Sequence, residues 1–220
     1  MAVQRIPEPE AMDTFEEAVE YDSMDHSEVN RVFVTDLLAA GKIAGDVLDL
    51  GTGTGQIPIE LCHRTEDVRV MGVDLAAYML DQARINIELE TLTDRIVFDL
   101  IDAKTLPHGD GQFDVVMSNS IIHHVPDPLP VMAEAVRVTK SGGIVFFRDL
   151  IRPVDEESLA QLVATYAADC NEIQTKMFSD SLRAAFTVQE IQELVVELGL
   201  EKNTVTATSD RHWTWPATKP

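Results

Sequence analysis

The sequence VLDLGTGTGQIPIEL occupies residues 47–61 and decides the fold. It is a short apolar run that ends in glycine, and two further glycines precede a segment with helical spacing of apolar residues. An apolar run of this length suits a strand that is buried on both faces of a parallel sheet. Glycines at its end permit a tight turn and a close approach of the backbone to a ligand. The segment therefore predicts an α/β protein with a ligand site after this strand.

The spacing of Gly51, Gly53 and Gly55 discriminates between ligand classes. The dinucleotide fingerprint needs GxGxxG, but residue 56 is Gln, and the Gly-Lys-Ser/Thr ending of a phosphate-binding loop is absent. Asp49, in the strand beside the loop, disfavours a pyrophosphate and favours a cationic ligand. A nicotinamide-dependent oxidoreductase is thus the weaker alternative, and a glycine turn without a ligand is the structural alternative.

Four further apolar runs predict strands, at 68–74, 95–102, 113–120 and 142–150, and helical segments are predicted at 55–64, 76–91 and 127–139. Strands that alternate with helices at this spacing indicate βαβ units, and hence a parallel sheet with helices on both faces. Asp127 and Pro128 are expected at the N-cap and the first position of the third of these helices.

The C-terminal part departs from this alternation. Residues 151–186 are predicted to form a mainly helical insert, and a capping box from Thr187 to Glu190 predicts one more helix. Strand candidates at about 200–207 and 212–216 are joined by a short turn, which favours an antiparallel pair at the edge of the sheet.

The chain is strongly acidic: 38 Asp and Glu residues outnumber 17 Lys and Arg residues, and the formal net charge is −21 over 220 residues. Affinity for nucleic acids depends largely on Lys and Arg, so no nucleic-acid partner is expected. No apolar run is long enough for a membrane span, and the acidic N-terminus lacks an apolar signal segment, so a cytoplasmic protein is expected. The length suits one domain, 1–220.

Cysteine and histidine spacing predicts no metal site. The two cysteines, Cys62 and Cys170, have 107 residues between them and form no CxxC motif. No set of His, Cys, Asp and Glu residues shows the sequence spacing of metal ligands. The sequence does not indicate an oligomeric state.

Two more acids close the next predicted strands. Asp74 follows the glycines by about 20 residues, where an acid can accept hydrogen bonds from both hydroxyls of a ribose; its structural alternative is a helix N-cap. Asp102 can accept a hydrogen bond from an exocyclic amine such as that of adenine, or it caps a loop.

Together these motifs resemble the class I S-adenosylmethionine-dependent methyltransferases, specifically the small-molecule type of ubiquinone biosynthesis. The likeness covers about residues 46–150 and includes, in the family's order, VLDLGTGTGQ, GVDLAAYMLDQAR, DAKTLP, FDVVMSNSIIHHVPDP and RVTKSGGIVFFRD; it continues in FTVQEIQELVVELGL. The resemblance implies a Rossmann-like fold with a seven-stranded, mostly parallel sheet, an antiparallel C-terminal strand and helices on both faces. It also implies S-adenosyl-L-methionine as cofactor and S-adenosyl-L-homocysteine as product.

The resemblance implies roles for individual residues. The glycine loop would contact the methionyl part of the cofactor, Asp49 would hold its amino group, and Asp74 would hold its ribose. The complete implied set is Tyr21, Asp49, Gly51, Thr52, Gly53, Gly55, Asp74, Leu75, Met79, Asp102, Ala103, Asn119 and His124. One departure is Ala76, where the family often has Ser or Asn as a helix cap.

His123, His124 and Asp149 are the candidate catalytic residues. A histidine base helps if the methyl acceptor is a hydroxyl, whereas the structural alternative is a ring packed beneath the cofactor. Asp149, with Arg148 and Arg152 nearby, either orients a polar acceptor or forms surface ion pairs.

Two segments are expected to cover the site. The N-terminal helical arm, residues 1–40, is predicted to act as a lid that becomes ordered mainly with cofactor bound, and the 151–186 insert is predicted to line the acceptor pocket. The predicted function is methyl transfer from S-adenosyl-L-methionine to an unidentified small-molecule acceptor. The alternative is a non-catalytic module that binds the same cofactor or its product.

Overall fold

The computed structural model describes residues 3–9 and 13–220, so the predicted arm lies partly outside the described residues. The strands are β1 (Gly45–Leu50), β2 (Val68–Asp74), β3 (Ile96–Leu100), β4 (Phe113–Asn119), β5 (Thr139–Leu150), β6 (Thr206–Ala207) and β7 (His212–Thr218). The helices are α1 (Phe15–Ser23), α2 (Ser27–Ala40), α3 (Gln56–Arg64), α4 (Ala77–Leu89), α5 (Leu129–Val138), α6 (Glu156–Tyr166), α7 (Glu172–Ala184) and α8 (Val188–Glu197).

The seven strands form one sheet in the order β3-β2-β1-β4-β5-β7-β6. β1 pairs in parallel with β2 and with β4, and β2 pairs in parallel with β3. β6 and β7 pair antiparallel at the C-terminal end. The predicted sheet is therefore confirmed. Strand order reverses between β1 and β4, and open α/β sheets bind ligands at the carboxyl ends of the strands beside such a reversal.

Local sequence signals explain most helix boundaries. Thr14, Asn171 and Thr187 each begin a helix with a complete capping box, in which the side chain of the third helical residue returns the hydrogen bond. Both helices expected in the 151–186 segment are present, as α6 and α7.

Two predicted boundaries are wrong. Helix α5 begins at Leu129, so Pro128 precedes the helix instead of opening it; helix ends commonly shift by a residue or two. The strand expected at about 200–207 is reduced to Thr206–Ala207, because Lys202–Thr204 forms a 3₁₀ helix. There the Thr204 hydroxyl donates to the Glu201 carbonyl at 2.6 Å, which closes a turn before the strand.

The chain divides into two compact units. The larger unit contains Ala11–Asn119, Leu129–Phe147 and Pro216–Pro220, and the smaller unit contains Met1–Glu10, Ser120–Pro128 and Arg148–Trp215. The expected single domain stays a prediction. Within the described residues, no helix has the length and apolar character needed to cross a membrane.

Each unit has its own apolar core. In the larger unit, aliphatic residues from β1, β2 and β4 pack with Phe33 of α2 and Phe146 of β5, whose rings meet edge to face at 5.2 Å. In the smaller unit, Leu150, Leu159 and Leu182 form a cluster that also includes Val3. Burial of such side chains supplies most of the favourable free energy of folding.

Arg95 ties the segment before β3 to the preceding βα unit of the larger unit. Its guanidinium donates to the carbonyls of Cys62, Thr65 and Val68 at 2.6–3.3 Å. These carbonyls belong to the end of α3, the following loop and the start of β2. One side chain thus satisfies three backbone acceptors that helix and sheet do not use.

We expect Arg95→Ala to lower the free energy of unfolding by about 2–3 kcal/mol, because several hydrogen bonds from a charged donor are lost and their acceptors stay partly buried. Chemical denaturation measures this change. Arg84→Ala is the matched control, because Arg84 forms an exposed pair with Asp81 and should cost less than about 0.5 kcal/mol. Equal losses of unfolding free energy in the two variants would contradict this stabilising role of the Arg95 hydrogen bonds.

Candidate functional site

The glycine loop between β1 and α3 is held against β2. The backbone N–H groups of Gly51 and Thr52 both donate to the Val73 carbonyl, at 2.8 and 3.0 Å. Gly51, Gly53 and Gly55 have φ values of 69°, 54° and 78°, in the left-handed region that side chains disfavour. The backbone therefore requires glycine at these three positions, as the sequence predicted.

Gly53 and Gly55 differ in what surrounds them. A Cβ at Gly55 would lie 2.9 Å from the Phe98 ring and 3.3 Å from Ala83, so this glycine permits packing inside the fold. A Cβ at Gly53 would meet, among the described residues, Tyr21 alone within 4 Å, at 3.9 Å. The space beside Gly53 is thus open to a ligand, which a purely structural glycine turn does not require.

Asp74 at the end of β2 contacts the same loop. One carboxylate oxygen accepts from the Gly53 N–H at 2.8 Å, and the other accepts from the Ala76 N–H at 2.9 Å before α4. Burial raises the pKa of Asp74, and the backbone donors partly offset this rise. The bond from the Ala76 N–H is the one expected if Asp74 caps α4. Each carboxylate oxygen nevertheless retains a lone pair for a further donor.

Asp49 lies in β1 with a side chain that is almost fully buried. Burial is the main cause that raises the pKa of Asp49 to about 7, and the charge of Asp74 contributes to the rise. Among the residues that the structure describes, none gives Asp49 a cationic partner, and a buried carboxylate is costly without one. A ligand with an ammonium group would supply that partner.

Tyr21 of α1 packs with Ala18, Ala76 and Met79 of the larger unit. Its ring also lies 4.9 Å from the His26 ring. Met79 is buried in this cluster, whereas Leu75 is 38 % exposed. Tyr21 and Met79 thus lie together, as the cofactor assignment requires.

Asp22 anchors α1, and sequence reasoning missed it. Its carboxylate accepts from the side-chain amides of Gln56, Gln82 and Asn86 at 2.9–3.2 Å. The Asn86 amide also donates to the Thr54 carbonyl at 2.9 Å, so the same network reaches the glycine loop. No local sequence motif predicts that Asp22 contacts these amides, because the four residues lie on three different helices.

The remaining cofactor candidates of the larger unit follow β3 and end β4. Asp102 accepts from the Lys104 N–H at 2.9 Å and lies 3.5 Å from the Lys104 ammonium, which is the loop-cap alternative. Ala103 beside it is half-buried. The Oδ1 atom of Asn119 is buried and has no hydrogen-bond partner among the residues that the structure describes. An orphaned buried acceptor of this kind suggests a missing ligand donor.

The catalytic candidates lie in the smaller unit, where a 3₁₀ helix, Ile122–His124, follows β4. The His123 ring is buried, and its Nδ1 is 2.5 Å from the Asp149 carboxylate. Asp149 also accepts from the backbone N–H groups of His123 and Leu150. Burial disfavours the His123 cation, but the Asp149 charge outweighs it, so the pKa of His123 is raised and that of Asp149 is lowered.

His124 has a different environment. Its Nδ1 lies 3.3 Å from the Pro9 carbonyl and 3.5 Å from Glu8. Burial and the neighbouring His123 charge lower its pKa to about 4, so this ring is neutral near pH 7. The structure places His124 in the smaller unit, whereas the other cofactor candidates belong to the larger one.

Arg148 and Arg152, the two arginines near Asp149 in the sequence, both donate to other groups of the smaller unit. Arg148 is buried and donates to the Thr214 hydroxyl at 2.9 Å. Arg152 donates to the Glu190 carboxylate at 2.8 Å and to the Ala185 carbonyl at 3.1 Å. Asp149 and Arg148 are both buried, so the alternative of ion pairs on the surface does not describe them, and Asp149 contacts His123.

We expect Asp74→Ala to weaken S-adenosylhomocysteine binding by about 100-fold, because two charge-assisted hydrogen bonds to a ribose are lost. Isothermal titration calorimetry measures the affinity, and thermal unfolding shows whether the variant is folded. Asp81→Ala, an exposed acid on the same α4, should bind normally. A folded Asp74→Ala protein with wild-type affinity would remove the ribose role.

Asp49 should make this binding pH-dependent. With a pKa of about 7, the carboxylate is largely neutral at lower pH, and a proton must leave before an ammonium ligand can pair with it. Between about pH 7.5 and about pH 6 the affinity should fall about 8-fold, as the ionised fraction falls. Asp49→Asn should bind S-adenosylhomocysteine weakly, with an affinity that changes less with pH. If calorimetry gave the same pH dependence for the wild type and Asp49→Asn, Asp49 would not be the group that pairs with the ammonium.

Comparisons with known proteins agree with this geometry. A family model described as "Methyltransferase domain" matches residues 48–147. The chain is 30 % identical over 173 residues to the ubiquinone biosynthesis O-methyltransferase of Acinetobacter baylyi, covering 76 % of this chain and 71 % of that protein. It is 31 % identical over 159 residues to the 27-O-demethylrifamycin SV methyltransferase of Amycolatopsis mediterranei, covering 72 % and 55 % respectively.

The chain spans about half the length of the first curated relatives it matches. Among solved structures, a SAM-dependent methyltransferase from Aquifex aeolicus superimposes with a TM-score of 0.68, covering 94 % of this chain and 99 % of that one. Its sequence identity of 15 % means that this likeness concerns the fold alone.

Proposed function

The chain belongs to the methyltransferase family, and on this premise we propose that it transfers a methyl group from S-adenosyl-L-methionine to a small-molecule acceptor. The observation that carries the proposal is the open space beside Gly53, with the buried carboxylate of Asp49 on β1 and the half-buried Asp74 on β2 next to the same loop. A cationic amino acid joined to a ribose suits two such acids, whereas a pyrophosphate does not.

The residues of the larger unit fit this cofactor. Asp49 would hold the ammonium group, Asp74 the ribose hydroxyls, and the buried Asn119 Oδ1 would accept a hydrogen bond that it otherwise lacks. Leu75 and Met79 would flank the adenine, and Asp102 with Ala103 would meet its edge. The backbone of Gly51, Thr52, Gly53 and Gly55 would contact the methionyl part, with Tyr21 beside Gly53.

Methyl transfer from a sulfonium is a direct displacement, in which alignment supplies much of the rate. The bound cofactor supplies an electrophilic methyl group on a cationic sulfur. The larger unit binds and orients that group, and its loop is already held by Val73 and Asp74. Preformed sites of this kind avoid the entropy cost of ordering a loop on binding.

His123, His124 and Asp149 stay our candidates for the acceptor side. Asp149 fixes the ring orientation of His123 and occupies its Nδ1, so His123 positions neighbouring groups through its remaining nitrogen. His124 is neutral and more exposed, so it is the ring that can accept a proton or coordinate a ligand. The net charge of −21 supports an acceptor that is not a polyanion.

The test is transfer of a labelled methyl group. The full chain, incubated with S-adenosyl-L-methionine labelled in its methyl group and a panel of phenols, alcohols, amines and acidic metabolites, should yield a labelled product and S-adenosylhomocysteine. Asp74→Ala should lose this activity, while Asp81→Ala should retain it. Tight binding of S-adenosylhomocysteine without transfer to any acceptor would favour the non-catalytic module, and absence of binding would end the proposal.

A further inference from the structure

Three side chains of the smaller unit converge on one point. Glu8 Oε2 lies 3.8 Å from His123 Nε2 and 3.5 Å from His124 Nδ1, and one potential ligand atom from each of the three residues lies within 4.8 Å of the other two. Four ligands at about 2.0–2.1 Å around a zinc ion form a tetrahedron with edges of about 3.4 Å. The three atoms are therefore close to the positions of three corners of such a tetrahedron.

Direct hydrogen bonds do not explain the arrangement. Both separations from Glu8 exceed the usual range of about 2.7–3.2 Å for an N–H···O bond. Glu8 is instead approached by the Ser181 hydroxyl, at 3.2 Å from one oxygen and 3.4 Å from the other. A carboxylate and two imidazoles thus face each other across a gap of the size that a small cation fills.

Outer partners already orient two of the three groups. The Nδ1 atom of His123 is held by Asp149 at 2.5 Å, which leaves Nε2 directed toward Glu8. Metal-binding histidines characteristically donate their other ring N–H to a carboxylate in this way. The Ser181 hydroxyl donates to the Glu8 carboxylate and orients it in the same way. The carbonyls of His123 and Val125 accept hydrogen bonds from Arg5, which fixes the 3₁₀ turn that carries both histidines.

We propose that Glu8, His123 and His124 bind one divalent cation of the zinc class, with Asp149 and Ser181 as orienting partners. Two imidazoles and one carboxylate match the preference of zinc for nitrogen and oxygen ligands. Three protein ligands leave a fourth position for water or an oxygen ligand, as in zinc sites that act on substrates. Glu8 and His124 are the more accessible members, with 15 % and 19 % of their side chains exposed, so a cation can enter from their side.

Binding requires two local changes. The Nε2 atom of the charged His123 ring must release its proton to solvent before it can coordinate, and the His124 ring must change tautomer. The Nδ1 atom of His124 also faces the Pro9 carbonyl at 3.3 Å, so its proton must move to Nε2 before Nδ1 can coordinate. The sequence predicted no metal site because adjacent histidines lack a recognised ligand spacing, and the third ligand comes from a distant N-terminal segment. The proposed metal site shares His123, His124 and Asp149 with the candidate acceptor side, but metal binding does not require that methyl transfer takes place.

The test is metal titration of the tag-free full chain after treatment with a chelator. Calorimetry with Zn²⁺ should show one saturable site per chain, and Co²⁺ should give the visible absorption of a four-coordinate ion. Glu8→Gln and His124→Gln should each weaken binding by about 100-fold or more, and Asp149→Asn by about 10–100-fold. Glu90→Gln is the matched control, because it removes a carboxylate 3.3 Å from the exposed His63; its affinity should be unchanged.

Absence of a saturable site would overturn the proposal. So would wild-type affinity in both Glu8→Gln and His124→Gln, which would assign the binding to exposed acids elsewhere. Thermal unfolding without metal shows whether Glu8→Gln or His124→Gln fails to fold. If one of them does, the zinc affinity of the other variant tests the proposal. Calorimetry with S-adenosylhomocysteine on the same samples keeps the two proposals apart: normal cofactor binding without metal binding overturns the metal site alone.

Discussion

The hydrogen bond from the Gly53 N–H to the Asp74 carboxylate, 2.8 Å long, is the contact on which the candidate cofactor site depends. It joins the loop after β1 to the end of β2, at the strand-order reversal where parallel sheets bind ligands. The loop needs left-handed backbone at three glycines, and such a conformation persists only where its surroundings determine it. Asp74, Val73 and the Asn86 amide provide those surroundings.

This arrangement has an electrostatic cost. Asp49 is buried and Asp74 is half-buried near the same loop, and burial raises the pKa of each. Two acids of like charge destabilise the folded chain when both are ionised. A cationic ligand offsets this repulsion between the two acids, because it pairs with a carboxylate that water no longer reaches. The cost to the free protein and the preference for a cation thus have the same physical origin.

How far the sequence could predict the molecule depends on the range of each signal. The glycine loop, Asp49 and Asp74 were found because strand, turn and helix follow one another along the chain. Asp22 was missed because its three amide partners come from α3 and α4 and share no motif with it. The strand at about 200–207 was overestimated because a local hydroxyl-to-carbonyl bond outweighs β propensity. The pairing of His123 with Asp149 joins residues that are 26 positions apart, so it follows from tertiary packing alone.

The two groups of acids play different physical roles. Asp49 lacks a cation within its own surroundings, so its pKa rises, whereas Asp149 has His123 within hydrogen-bond distance, so its pKa falls despite complete burial. We propose that Asp49, with its raised pKa, pairs with a cationic ligand, and that Asp149, with its lowered pKa, orients the His123 ring. The same residue type at the carboxyl ends of β1 and β5 is therefore assigned to ligand binding in one case and to positioning in the other. Burial alone does not separate these roles; the presence of a cationic partner within the fold does.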